Sequence, residues 1–541
     1  MKNLVYLFMA IAFAACKPYD TLIKNGTVYD GSGKPAIPTD IGIKGDKVVK
    51  IGNIPSKKAK TIVDAEGMAV SPGFINTLSW AYWPLLKDGR SMSNLKQGVT
   101  LEIFGEGSSP GPFHPEKTKD TPSSFAENME KLEQQGVSTN IASFVGATTV
   151  RKYVLDEDDR APNAEELALM KQLVEQSMEE GALGLGTSLI YPPAFFAKTD
   201  ELIALSKSAS KHNGIYISHL RSEGDKLLEA IEELITIARE ANIPAEIYHL
   251  KAAGQRNWED LEKAIAMIEK ARAEGLEITT NMYNYTGAST GLGACMPPWI
   301  QEGGEIQWVK NLQNAELKAK AISEMESDKT DWENFLALAG DPANILLLGF
   351  STDSLQKFKG KNLAEVAKIW GKSPAESVCD LISANGGDIS TAYFLMSEEN
   401  VARQMKLPYM SFGSDARSIA AEGENLESMT HPRTYGNFAR LLGKYVREEK
   451  IISLEEAIHK LSWLPVQKLH IKNRGRITEG YFADIVIFDP TTITDKATFN
   501  QPHQYAEGVQ HVFVNGTRVI KNGEHTGETP GRFVKGKGAK N

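Results

Sequence analysis

The chain has 541 residues, of which 41% are hydrophobic and 24% charged, with a formal net charge of −9. That length suits one large domain plus a smaller one, and the composition is that of a folded, soluble enzyme-like protein rather than a disordered chain. Lys and Arg are scattered among Asp and Glu with no basic stripe, which excludes a nucleic-acid partner.

Residues 1–16, MKNLVYLFMAIAFAAC, combine an early lysine, an apolar stretch and small residues running into Cys16. The pattern predicts a signal peptide, and FAAC resembles a bacterial lipobox that would make Cys16 the lipidated first residue of the mature chain. Plain cleavage or an N-terminal anchor is the alternative; the apolar run is too short to span a bilayer. The expectation is an exported bacterial lipoprotein facing the periplasm or the cell surface, with the membrane met through the lipid alone. Only Cys295 and Cys379 remain, as a possible pair or as two buried thiols.

Residues 17–70 alternate polar and apolar between turn signals (DTLIKNGTVYDGSGK, TDIGIKGDKVVKIG), and the texture returns within 471–541 (FADIVIFDP, VQHVFVNGTRVIKNGEH). Both ends are therefore expected to build one small β-sandwich. Between them, 71–470 alternates apolar runs with amphipathic helices. DKLLEAIEELITIAREA sets Leu227, Leu228, Ile231, Leu234, Ile235 and Ala238 on one stripe. GALGLGTSLIY, GIYISHLRS, AEIYHLKAA, LEITTNMYNY, ANILLLGFSTD and LPYMSFGSD read as strands. Six to eight such units predict an α/β fold, a (β/α)8 TIM barrel, with an insertion at about 290–343. An open doubly wound sheet lacks its GxGxxG.

In such a barrel the chemistry sits where the strands end. The polar residues there are Glu106, His219, His249, Tyr283, Asp353 and Asp415. Two imidazoles and a carboxylate suffice to hold a catalytic Zn²⁺ and leave a position for water. Serine chemistry is rejected because GTSL and GSSP do not form a GxSxG elbow.

YISHLRSEGD, EIYHLKAAG, NMYNYTGASTG, SFGSDA and HPRTYGNFARLLGKYVRE, together with AVSPGFIN and RGRITEGYFADIVIFDP, resemble successive segments of the N-acyl-D-amino-acid deacylase branch of the amidohydrolase superfamily. The resemblance implies a distorted barrel with a terminal β-sandwich. It implies that His219 and His249 hold zinc, that Asp415 is the general acid/base, and that Lys251, Tyr283 and Arg433 grip a substrate carboxylate. The chain departs from the family where many members carry His-x-His, having Asn76, Leu78 and Trp80. Where some deacylases have a bridging cysteine it reads FGEGSS, which makes Glu106 the nearest third ligand; Glu102 lies inside the strand. The expectation is one zinc ion and hydrolysis of N-acyl-D-amino acids, small molecules with a free carboxylate. The alternatives are a lactone, cyclic imide or D-amino-acid dipeptide as substrate, or an inactive lipid-anchored binding protein. Leu78 and Trp80 are expected to make one side of the pocket apolar, and Trp80, Tyr82 and Trp83 could line an acyl site. Oligomeric state is not legible in these residues.

Overall fold

The structure, a computed structural model, describes residues 17–540 apart from 117, 119–122 and 328. The signal segment and Cys16 therefore lie outside the described residues. Among the described residues no helix is long and apolar enough to cross a membrane.

Eight parallel strands form the centre: β1 (Phe74–Asn76), β2 (Val99–Phe104), β3 (Asn140–Ser143), β4 (Gly184–Ser188), β5 (Ile215–His219), β6 (Ala245–Ile247), β7 (Ile278–Met282) and β8 (Met410–Phe412). Pairing follows chain order, β1 to β2 to β3 and β4 through β8. The segment Val145–Gly146, directly after β3, pairs with β4 and joins the two series. The ring closes where Thr77 donates to the Phe412 carbonyl and Asp415 N–H donates to Leu78 O at 2.9 Å. This is the expected barrel, distorted by its short β1, β6 and β8.

The interior is divided. Ile75, Leu78, Leu101, Ile103, Ala142, Phe144, Ile215 and Ile217 make one half apolar, and Val466 and Leu469 from the end of the chain's barrel part pack under it. The half bounded by β6, β7 and β8 is polar. Lys468, at the end of the helix Trp463–Lys468, reaches Glu246 on β6 and Ser411 on β8. Asn281 Nδ2 on β7 donates to Glu246 at 2.6 Å, and its Oδ1 accepts the backbone N–H of His249 at 2.8 Å. A column of hydrogen-bonded side chains thus runs from the barrel floor to the strand end that carries His249.

Amphipathic helices cover the outside. In Leu227–Ala241 the buried stripe includes Leu227, Ile231, Leu234, Ile235 and Ala238, and Asn242 ends the helix in the left-handed region at φ 47°.

The two terminal segments come together in one β domain. Their strands belong to one nine-stranded hydrogen-bonded sheet, because Ala69–Pro72 pairs with Thr27–Val28 on one side and antiparallel with Ile485–Phe488 on the other. Ile23, Ile41, Val48, Val70, Ile485 and Phe513 share its core.

The interruption expected at about 290–343 is larger and fills the chain between β7 and β8. ANILLLGFSTD is not a barrel strand: Ile345–Gly349 pairs antiparallel with Ser390–Phe394, which also pairs with Gly287–Gly291. Asp353 consequently lies on the exposed surface of this excursion and leaves the list of barrel-end candidates. Cys295 and Cys379 are both free and buried in the excursion's own core, where burial pushes each thiol up to about 12.

Removing the Lys468 charge leaves Glu246 buried without its cation, so Lys468→Met should lower stability by about 3–5 kcal/mol in urea unfolding. Lys468→Met with Glu246→Leu should recover much of that loss.

Candidate metal centre

Glu106 follows β2 between Gly105 and Gly107, whose φ values of 105° and 71° suit glycine. A Cβ on Gly105 would lie 2.5 Å from the Phe144 carbonyl, and one on Gly107 2.1 Å from Ser188 Oγ, so only glycines let the chain turn Glu106 inward here. His219 is the last residue of β5, and His249 follows β6 with φ 32°, a strained value for a residue with a side chain.

These three converge. Glu106 Oε1 lies 3.1 Å from His219 Nδ1 and 2.9 Å from His249 Nε2, and one ligand atom from each residue lies within 4.8 Å of the others. Ligands at 2.0–2.1 Å around a tetrahedral zinc stand about 3.3 Å apart, so the set needs only slight opening to hold the ion. All three side chains are buried, and the chemistry of two imidazoles and a carboxylate fits zinc.

Glu223, four residues after His219, organises the pair and was not singled out from sequence. Its Oε1 lies 2.9 Å from His249 Nδ1 and accepts from Lys251 Nζ at 2.6 Å, while its Oε2 stands 3.7 Å from His219 Nε2. A carboxylate behind Nδ1 fixes the imidazole with Nε2 turned to the metal position. Burial opposes the charge on Glu223, but Lys251 and the two histidines outweigh it and hold the carboxyl well below the usual range. Burial likewise opposes the charge on Glu106, and hydrogen bonds from His219 and His249 outweigh it. Glu333 reaches in from the excursion, accepts the Glu223 N–H at 2.8 Å and bonds Ser222, clamping the loop that carries Glu223. Burial pushes Glu333 up to about 7.

Asp415, at φ 48° after β8, faces the centre from the other side. Trp80 Nε1 donates to its Oδ1 at 3.0 Å, and Arg433 Nη2 lies 2.8 Å from its Oδ2. Burial raises the Asp415 carboxyl and the Arg433 charge opposes that rise. Arg433 stands 4.3 Å from the Tyr283 ring centre, and its buried Nε and Nη1 have no hydrogen-bond partner. His431 explains part of that placement: Nδ1 accepts the Arg433 N–H at 2.9 Å, and Nε2 lies 2.9 Å from the Gly287 carbonyl.

Of the carboxylate-gripping trio, Arg433 and Tyr283 stand together, whereas the Lys251 ammonium donates to Glu223 at 2.6 Å. Leu78 is fully buried in the barrel interior. Trp80 is 40% exposed and contributes a donor as well as apolar surface. Tyr82 is buried and bonds Asn128, and the exposed Trp83 stacks on Phe113.

A family model described as "Amidohydrolase family" matches residues 411–520. A D-aminoacylase from Alcaligenes xylosoxydans xylosoxydans is 32% identical over 530 residues, which cover 96% of this chain and 98% of the relative. The chain belongs to the D-aminoacylase family of amidohydrolases. A solved D-aminoacylase, described as having a binuclear metal centre with one-metal activation and second-metal attenuation, superposes with a TM-score of 0.80 at 29% identity over 96% of this chain and 100% of the other. An N-acyl-D-glutamate deacylase from Bordetella bronchiseptica, solved with zinc and a phosphonate mimic of the tetrahedral intermediate, gives 0.80 at 26% identity over 96% and 99%. As a member of the D-aminoacylase family this chain is an amidohydrolase, a hydrolase of carbon–nitrogen bonds other than peptide bonds.

Second-sphere carboxylates tune metal affinity by about 10–100-fold. Glu223→Gln should therefore weaken divalent-metal binding by that factor in competition with a chelator, whereas Glu106→Ala or His219→Ala should abolish stoichiometric metal binding.

Proposed function

We propose that this protein is a zinc-dependent deacylase of N-acyl-D-amino acids. The observation that carries the reading is that Glu106, His219 and His249 converge on one point, with Asp415 in electrostatic reach of Glu106 and His249 and paired with Arg433. The activities of the relatives support the substrate class.

Zinc held by these three residues would polarise the scissile carbonyl and acidify the attacking water. Asp415 takes the proton from that water and hands it to the departing nitrogen. Arg433, with a delocalised charge and free donors, takes the substrate's carboxylate, and Tyr283 packs beneath the guanidinium. That anchorage fixes the acyl carbon over the metal position and converts binding into orientation. Lys251 serves the histidines through Glu223 and adds positive potential to the pocket. The products are a carboxylic acid and a free amino acid. The FAAC ending at Cys16 supports an accompanying proposal, that the enzyme is exported and lipid-anchored.

With the zinc-loaded protein, amino acid release from N-acyl-D-amino acids should exceed that from the L isomers. Asp415→Asn should lower kcat by about 10²–10⁴-fold, and Arg433→Met should act chiefly on KM. Turnover confined to lactones, cyclic imides or D-dipeptides would overturn the substrate class. A protein without stoichiometric zinc or turnover would be a binding protein instead.

A further inference from the structure

Leu78 and Trp80 follow the first barrel strand two residues apart, and the structure gives each a different task. Leu78 has no ligand atom and is packed into the barrel core. Trp80 has an indole nitrogen that can only donate, and it donates to Asp415 Oδ1 at 3.0 Å. Arg433 takes the other oxygen at 2.8 Å. Both oxygens of this half-buried carboxylate are thus engaged by donors.

The two loops are also joined independently of the indole. Trp80 N–H donates to Ala416 O at 2.9 Å, and Asp415 N–H to Leu78 O at 2.9 Å. Glu102, turned outward from β2 and fully buried, accepts from Ser79 Oγ at 2.9 Å and from Ser418 Oγ at 3.1 Å, tying the loops together again. The indole N–H is therefore not needed to hold Trp80 beside Asp415. Its remaining effect is on the carboxylate itself.

We propose that Trp80 is a positioning residue for Asp415, its indole N–H fixing the general base, and that Leu78 and Trp80 together restrict this chain to a single metal ion. The proposal rests on the deacylase reading for the role of Asp415. Neither the leucine side chain nor the indole N–H offers a lone pair to a cation, so positions 78 and 80 supply no ligand for a second ion. The charged groups that face Asp415 are Arg433, Glu106, His249 and Lys251. None of them is altered by substitution at position 80.

Trp80→Phe keeps the ring and removes only the N–H. In the zinc-loaded full chain it should lower kcat about tenfold, the effect of one hydrogen bond to a charged group, with KM within about twofold. Loss of a donor to the carboxylate favours its protonated form, so the acid limb of the kcat profile should move to higher pH. Unchanged kcat and an unmoved acid limb would overturn the positioning role. Metal analysis after equilibrium dialysis in excess zinc should find one ion per wild-type chain and two in Leu78→His with Trp80→His; two in the wild type would overturn the closure. A readout free of turnover separates these outcomes from failure of the deacylase reading. The indole ¹⁵N–H resonance of Trp80, assigned by its absence in Trp80→Phe, should shift in Asp415→Asn. A resonance indifferent to that substitution would overturn the proposal even in an inactive protein.

Discussion

The hydrogen-bonded column of Lys468, Glu246 and Asn281 is the constraint on which the site depends. A carboxylate and an ammonium removed from water cost several kcal/mol each unless each finds its partner in good geometry. That demand places the floor helix under the barrel, because Lys468 must reach Glu246. It fixes Asn281, whose amide is shared between Glu246 and the backbone of His249. His249 then keeps a φ of 32° that its own side chain disfavours. The apolar half of the interior, from Ile75 to Ile217, supplies burial but no such direction.

Above the column the charges are arranged in two opposed groups. Glu106 and Glu223 flank the histidines, with Lys251 compensating Glu223 from below. Asp415 faces them across the pocket and is compensated by Arg433. Arg433 retains two buried donors without partners, an arrangement useful to a binder of anions. The excursion between β7 and β8 takes part as well, because Glu333 holds the backbone of Glu223. Its role is thus more than to cover a strand end.

Much of this was legible in the chain. His219, His249, Glu106 and Asp415 each end an apolar run, and the barrel turns strand ends toward one another. ILLLG misled because a five-residue apolar run buried on both faces reads the same in a parallel barrel and in a small antiparallel sheet; only pairing to Ser390–Phe394 separates them. Glu223 was hidden in SEGD, a run that looks like a solvated helix start. The role of Lys251 as a substrate ligand came from the resemblance, and Glu223, the acid it bonds, was unassigned. Trp80 showed its size and apolar face in the sequence, whereas the direction of one N–H requires coordinates. The matching β textures of the two ends showed that they belong together, whereas which strands pair at the seam needed the coordinates.

The way the ring closes also dictates how the molecule is made. Thr77 finds its partner Phe412 335 positions later, and Ala69–Pro72 waits for Ile485–Phe488. Contacts of such sequence separation form slowly, and one edge of the first barrel strand stays open until residues 410–412 have been made. The barrel and the terminal sheet therefore close only once residues 410–412 and 485–488 are present, and until then one edge of β1 and one edge of Ala69–Pro72 stay open to other strands.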